Sequence, residues 1–401
     1  METMKYWHKE FWLSFIFSMV FLFAELPFLR ADPVSIPVTP VMKEQGVCPP
    51  TSLLPQVQKL QKRLAEYQKK SPCWPQWTCT KHVFKKGDQD PVIMTVKKQL
   101  QDPTLIGTLV FDEGLEQAVI RFQKQHFLKP DGVIGPNTCK ALNLTPADII
   151  RKIKLNLSRW QKLSSLLNGR YILVNIPTYH LDAMEDVTSA HTQDVIVGMK
   201  SRPTPLFTTH MTHIILNPAW YVPDTIFLKD KLKKIQSDPN YLTRNHFMVS
   251  DAEGTPVNVE SVDWHHVSSG YLPYRIHQLP GPHNALGVIK FYLDDKEAIY
   301  LHDTSQPELF QKIPRAFSSG CVRLSKPLEL AVWALENKGP TCLEDIKKKI
   351  DQHKTQKLSL PRPIPVYFTY FTVWVDQEEN LLLSDDPYNF DDKDLIDEGI
   401  D

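Results

Sequence analysis

The sequence predicts an α+β chain of more than one domain, and three observations predict it. At 401 residues the chain exceeds a typical single domain. Up to about residue 145, apolar residues recur at three- and four-residue steps, the period of a helix with one buried face. From Arg170 onward, short β-branched runs bounded by turns take over, which is the pattern of strands. Hydrophobic residues make up 42%, ample for a core, and Lys+Arg and Asp+Glu number 46 each. A net charge of zero gives no basic field, so nucleic acid is not an expected partner.

The N-terminus carries a targeting signal. Lys5, His8 and Lys9 precede an apolar run from Phe11 to Ala24, broken by Glu25 and Pro27. That run suits the core of a signal peptide better than a membrane span of about 20 residues. Cleavage after Ala31 or retention as an N-terminal anchor, with membrane association, are both compatible with it, and either exports the chain. Residues 32–50, rich in Pro and Val, read as a linker. Leu53, Leu54, Val57, Leu60 and Leu64 place an amphipathic helix over Thr51 to Lys70, and Cys73-Trp74-Pro75 breaks it. Val92, Val96 and Leu100 share one helical face, as do Leu115, Val119, Phe122 and His126, before a turn at Asp131-Gly132.

Export favours disulfides. One is expected among Cys48, Cys73 and Cys79, with Cys139 buried on a helical face and Cys342 buried or a partner. Strands are expected at Tyr171–Pro177, Gln193–Gly198, His213–Pro218, Tyr274–His277, Val288–Leu293 and Ala298–Leu301. Between them, Asp224 to Gln236 reads as a charged helix and Phe247 to Val257 as a hairpin. Pro327 to Asn337 reads as an apolar helix. Val366 to Val375 with Leu381 to Leu383 reads as a closing hairpin, and the acidic stretch from Asp385 as a solvated, partly disordered tail.

The chemistry concentrates in Ser318-Ser319-Gly320-Cys321-Val322-Arg323, downstream of Leu301-His302-Asp303-Thr304. A thiolate is the reactive form of cysteine, and a histidine can take its proton. Gly320 permits a tight turn beside the sulfur. Arg323 is a fixed cation able to bind a carboxylate. A free thiol in an exported chain itself favours a reactive Cys321 over a buried one. His302 needs a third group, a carbonyl or a hydroxyl, to orient it. The Asp303 side chain is a poor candidate, since neighbours along a strand point oppositely. His265, His266, His277 and His283 match no metal spacing, so neither a metal nor another cofactor is expected.

These residues resemble the L,D-transpeptidase catalytic domain, with Ser319 standing where relatives often carry histidine. Pro280-Gly281-Pro282-His283-Asn284-Ala285-Leu286-Gly287 and Gly198…Arg202-x-Thr204-Pro205 add to the match. Ala118–Gln123 followed by Asp131-Gly132-Val133-Ile134-Gly135 resembles a peptidoglycan-binding domain. The resemblance implies a helical N-terminal scaffold over 32–88 and a three-helix peptidoglycan-binding module over 89–145. It then implies a β-sandwich catalytic domain over 168–345, with an α/β lid inserted at 225–272, and a closing segment at 346–401. It further implies catalytic roles for Cys321, His302 and Gly320, and substrate contacts from Arg323, Ser319, Tyr300 and Trp220. An oxyanion would rest on main-chain N–H groups near Gly320 and Cys321.

The implied reaction joins peptidoglycan tetrapeptide stems 3→3 through a cysteine thioester, in the periplasm, with other cell-wall synthesis proteins as candidate partners. Hydrolysis of the same acyl-enzyme, as in an L,D-carboxypeptidase, is the alternative. A non-catalytic wall-binding protein is a third reading, which the intact His302, Gly320, Cys321 and Arg323 oppose.

Overall fold

The computed structural model describes residues 55–400, apart from 71–73, 80–82, 103–106, 239, 269–270, 296–297 and 337–340. The targeting segment, the linker, Cys48, Cys73 and the side chain of Cys342 lie outside the described residues.

Five helices open the described chain: α1 (Pro55–Tyr67), α2 (Val92–Leu100), α3 (Glu113–Gln125), α4 (Pro136–Leu142) and α5 (Pro146–Ser164). Helices α2 to α4 surround a small core of Ile93, Val96, Phe111, Leu115, Val119, Ile134 and Leu142. The buried Gln123 explains the Phe-Gln and Asp-Gly pairing in the sequence. Its Nε2 donates to Asp131 Oδ1, Val133 O and Thr138 Oγ1, while its Oε1 accepts the Gly132 N–H. One side chain thereby pins the turn to the helix. Cys139 is buried as expected, but it is bonded to Cys79, which removes Cys79 from the expected Cys48–Cys73–Cys79 set; a bond between Cys48 and Cys73 lies outside the described residues. Helix α5 escaped the periodicity reading, although Thr145 and Asp148 form a capping box at its start.

Fourteen strands follow. They begin with β1 (Arg170–Asn175), β2 (His180–Glu185), β3 (Thr188–Gly198), β4 (Thr208–Leu216), β5 (Trp220–Tyr221), β6 (Phe247–Ser250) and β7 (Arg275–Gln278). Then come β8 (Ile289–Leu293), β9 (Leu301–His302), β10 (Ala316–Ser318), β11 (Val322–Leu324), β12 (Gln356–Thr369), β13 (Val373–Val375) and β14 (Leu381–Leu383). The main sheet runs β10-β3-β11-β9-β8-β4-β12-β1-β2, and β2 pairs back onto β3. The expected sandwich therefore has joined edges. Strand β3 makes the join because it is long, pairing β2 through residues 188–194 and β11 through 195–196.

Inside the ring, Ile172, Val174, Leu181, Val195, Ile214, Phe291, Leu301, Val322 and Val366 form the main core. Each such side chain contributes about 1.5–3 kcal/mol on burial. The outward faces of β1 and β12 are also apolar. Tyr171, Leu173 and Tyr367 pack against Val57 and Leu60 of α1 and Ile153 and Trp160 of α5.

Three expectations need correction. Arg275–Gln278 does not rejoin the main sheet but forms the centre of a separate sheet, β5-β7-β6. This sheet and the helical stretch Asp224–Ser237, with a π-turn at Phe227–Lys231, share their own core around Phe227, Ile235, Leu242, Phe247, Trp264 and Ile276. Second, the run Val366–Val375 is two strands. Asn175 holds Phe371 through both its N–H and its carbonyl, and Asn156 Oδ1 accepts the Thr372 N–H. These side chains replace the ladder at residues 370–372, so β12 ends and β13 starts a new hairpin with β14.

Third, the acidic tail is packed. Tyr388 and Asp391 are buried, and Asp391 sits between Lys152 Nζ at 2.7 Å and a guanidinium nitrogen of Arg159 at 2.8 Å. Charge density alone suggested solvation; matched cations on α5 reverse it.

Candidate active site

Strand β9 presents His302, and the turn between β10 and β11 presents Cys321, the free cysteine among the described residues. Strands β9 and β11 run parallel, with Val322 opposite Leu301 and Arg323 opposite His302. Lys290 of β8 is opposite His302 on the other side. Since Ile289, Phe291, Leu301, Val322 and Leu324 point into the core, alternation turns Lys290, His302 and Arg323 to the outer face. They form one cross-strand row.

The turn that carries Cys321 is held from both ends. Gly320 has φ +122°, a conformation that favours glycine, and a Cβ there would meet Ile299 at 3.1 Å. The buried Ser318 hydroxyl donates to the Cys321 carbonyl and accepts the Gly320 N–H at 3.1 Å. Gly320 thus spends its N–H on the turn itself, so that amide is removed from the expected oxyanion donors, and the Cys321 N–H remains. On the other side Thr204 Oγ1 donates to the Gly320 carbonyl at 2.7 Å and accepts the Gly198 N–H at 2.9 Å. Gly198 has no alternative, because a Cβ would stand 2.3 Å from the Arg202 carbonyl. Tyr388 from the tail completes the frame, donating to Gly198 O at 2.6 Å and accepting the Thr204 N–H.

His302 is only 4% exposed, and its Nδ1 lies 2.5 Å from the Asp303 carbonyl. A carbonyl can only accept, so Nδ1 carries the proton and Nε2 presents a lone pair. The orienting group is thus the main chain of Asp303. Its carboxylate is turned away to accept the Val288 N–H at 2.9 Å, against Gly287, where no Cβ would fit. Burial, reinforced by Arg323 and Lys290, lowers the His302 pKa to about 3, so the ring is neutral. Burial pushes the Cys321 thiol up, opposed by hydrogen bonds from Tyr300 and by the Lys290 charge. The dyad therefore rests as neutral thiol and neutral imidazole.

Neutrality has a pH signature. Reactivity of Cys321 is expected to rise once, above the ordinary thiol range, with no inflection at the usual imidazole pKa of 6.5. Alkylation rates between about pH 5 and pH 10 check this. An inflection near 6.5 that disappears in His302→Gln would contradict it. In the folding equilibrium, a histidine held neutral contributes stability that is complete above its unfolded pKa and lost as pH falls toward 3.

The other expected residues are placed as follows. Tyr300 lies beside Cys321 and packs against the core that holds Trp220; its ring lies 5.7 Å from that of His302, and the Cys321 thiol itself faces the Ala298 carbonyl at 3.9 Å. Trp220 is buried in the core of the small sheet and reaches the site through Tyr300. Arg323 donates to Gln306 Oε1 at 3.1 Å and forms no ion pair among the described residues. Ser319 is half-buried beside the turn. His283 stacks on His246, while Asn284 of the same motif is buried and donates to the carbonyls of Pro218, Gln278 and Leu279. That asparagine clamps the two chain crossings into the small sheet.

Arg202 adds a bidentate pair to Asp230, tying the turn that carries Thr204 to the π-turn. Sequence reasoning expected a carbonyl or a hydroxyl to orient His302 without naming the Asp303 carbonyl, and it missed the parts of Ser318 and Lys290. The Lys290 signal was present as a charge within a core strand. A cleft of about 510 Å³ lined by Trp160, Tyr171, His180 and Trp374 lies against β1 and β2 and contains none of these residues.

The family model for the L,D-transpeptidase catalytic domain matches residues 169–348, and that for a peptidoglycan binding domain matches 93–142. A Haemophilus influenzae protein named as a candidate L,D-transpeptidase is 35% identical over 246 residues, which is 61% of this chain and 49% of that protein. The chain thus spans about half the length of this curated relative.

Among solved structures, an L,D-transpeptidase of Xylanimonas cellulosilytica matches at 16% identity and TM-score 0.23, covering 75% of this chain and 100% of the other. One from Mycobacterium smegmatis matches at 12% and 0.24, covering 50% and 58%. Likeness at that level carries no argument about the site. The segment matched by the L,D-transpeptidase model begins one residue before β1 and takes in both His302 and Cys321.

Proposed function

We propose that the chain is an exported peptidoglycan L,D-transpeptidase that forms 3→3 crosslinks through a Cys321 thioester. The observation that carries this reading is the neutral dyad: an unpaired thiol and a histidine whose Nε2 is free, Nδ1 being fixed by the Asp303 carbonyl. On this reading Cys321 Sγ attacks the carbonyl of the third stem residue, a diaminopimelate, while His302 Nε2 takes the thiol proton. The Cys321 N–H stabilises the tetrahedral oxyanion. Collapse breaks the peptide bond, and His302 returns the proton to the departing D-alanine amine. A side-chain amine of a neighbouring stem then attacks the thioester, with its proton passing to His302, and the thiol is restored. Water in place of that amine yields a tripeptide.

Arg323, whose guanidinium has no carboxylate partner among the described residues, binds a donor carboxylate on this reading. The small sheet and its helices act as a lid. Their core packs against Tyr300, and Arg202–Asp230 fixes their edge to the nucleophile turn. The lid excludes water from the acyl-enzyme and favours transfer over hydrolysis. The N-terminal helical module holds the enzyme on its polymeric substrate, and residues 1–31 direct the chain to the periplasm or anchor it to the membrane.

Purified protein incubated with disaccharide-tetrapeptide is expected to give crosslinked dimers with loss of D-alanine, read by mass. Tripeptide alone would show a carboxypeptidase, and no turnover would leave wall binding as the function.

A further inference from the structure

The row Lys290–His302–Arg323 places an imidazole between two cations on the outer face of the barrel. The imidazolium that forms when His302 takes the Cys321 proton is therefore disfavoured by both neighbours, so the thiolate gains from a second counter-charge. Lys290 is half-buried, pairs across the ladder with Ile215 and His302, and sets its Nζ 3.7 Å from the centroid of the Tyr300 ring. That same tyrosine is held beside Cys321, since its carbonyl accepts the Val322 N–H at 3.1 Å. Lys290 forms no ion pair among the described residues, so its charge is unspent.

We propose that Lys290 is a positioning residue of the reaction: its ammonium, seated on the Tyr300 ring, balances the charge that Cys321 acquires on losing its proton and holds the Tyr300 hydroxyl against the sulfur. Around this ammonium lie Cys321, Tyr300, His302 and, from β4, His213, with Arg323 across the row and Asp295 near the sulfur. Asp295 acts on the thiol against the cation and raises its pKa, whereas Lys290 lowers it. A cation on an aromatic face keeps its charge while shedding part of its water, which strengthens its field at a neighbouring anion.

The inference rests on Cys321 as nucleophile, and its test is chosen to fail separately. Alkylation by iodoacetamide is followed on the tryptic peptide Ala316–Arg323 of the full chain as a function of pH, a readout that needs no turnover. Lys290→Met is expected to move the Cys321 titration upward by about one unit, slowing alkylation near neutral pH about tenfold. Lys290→Arg is expected to restore most of it. Thermal unfolding of each variant separates this from a loss of fold. A Lys290→Met protein that folds and titrates as the wild type overturns the proposal. So does one that loses turnover while the titration stays in place, since Lys290 would then serve the substrate. If Cys321→Ala retained turnover, the nucleophile assignment would fail whatever Lys290 does.

Discussion

Cys321→Ala is expected to lose both tetrapeptide turnover and covalent labelling by a carbapenem, with turnover falling by at least about a thousandfold. The magnitude follows from the geometry. Among the described residues no second nucleophile is placed to act in its stead: Ser318 is buried and donates to the Cys321 carbonyl, and Tyr300 packs against the buried core that holds Trp220. Its phenol pKa is raised by burial, so it will not ionise to attack. The fold should survive, because Cys321 is only half-buried and its thiol closes no disulfide. Intact-mass spectra after exposure to a carbapenem check the prediction. A persistent adduct on the alanine variant would sink the assignment.

His302→Gln tests the other half of the dyad. It should slow acylation less severely, since the oxyanion donor and Tyr300 remain.

The dyad was legible because its signal is local. Glycine, cysteine and arginine at fixed offsets are what a nucleophile turn needs, whatever surrounds it. What stabilises that turn was not legible, because it arrives from distant parts of the chain. Thr204 reaches Gly320 across 116 positions, and Tyr388 reaches Gly198 across 190. Strand existence was readable from β-branched runs, but partnership was not. Arg275–Gln278 has the composition of a strand, and nothing in it says which sheet it joins.

The break between β12 and β13 illustrates the same limit. Val366 to Val375 alternates as one strand, and only the two asparagine side chains, on α5 and β1, end the ladder at Phe371. The partner of Cys79 was not legible because spacing groups cysteines by sequence proximity. Folding instead brings Cys79 to Cys139, 60 residues on.

The acidic tail gives the second large effect. Asp391→Ala is expected to destabilise the protein by about 3–5 kcal/mol, the range for breaking a buried ion pair from one side. Asp391 is 3% exposed; it accepts from Lys152 at 2.7 Å, from Arg159 at 2.8 Å and from the Thr372 hydroxyl at 2.8 Å. Removing it strands Lys152 in a partly buried position and leaves Thr372 without its acceptor, although Arg159 keeps Asp394 and the Tyr370 carbonyl.

Burial alone would raise the Asp391 pKa. Lys152 and Arg159 overcome it, so the net shift is downward. The linkage sign follows: this stability is present above the ordinary carboxylate pKa of 3.8 and is lost as pH falls through the lower folded value. Acid unfolding of the wild type should therefore be steeper than that of Asp391→Asn, which lacks the charge at all pH values.

The consequence reaches the site. Asp391 donates its N–H to Asp386, which also holds the Tyr370 hydroxyl; Tyr370 accepts the Tyr388 N–H, and Tyr388 braces Gly198 and Thr204 beneath the nucleophile turn. Tyr388→Phe, which removes only the last hydroxyl, should cost about 1–3 kcal/mol for the orphaned Gly198 carbonyl. It should also slow alkylation of Cys321 in protein that remains folded. If the tail merely capped the core, alkylation would be unchanged. A slowed rate at unchanged secondary structure shows that the tail is part of what fixes the sulfur.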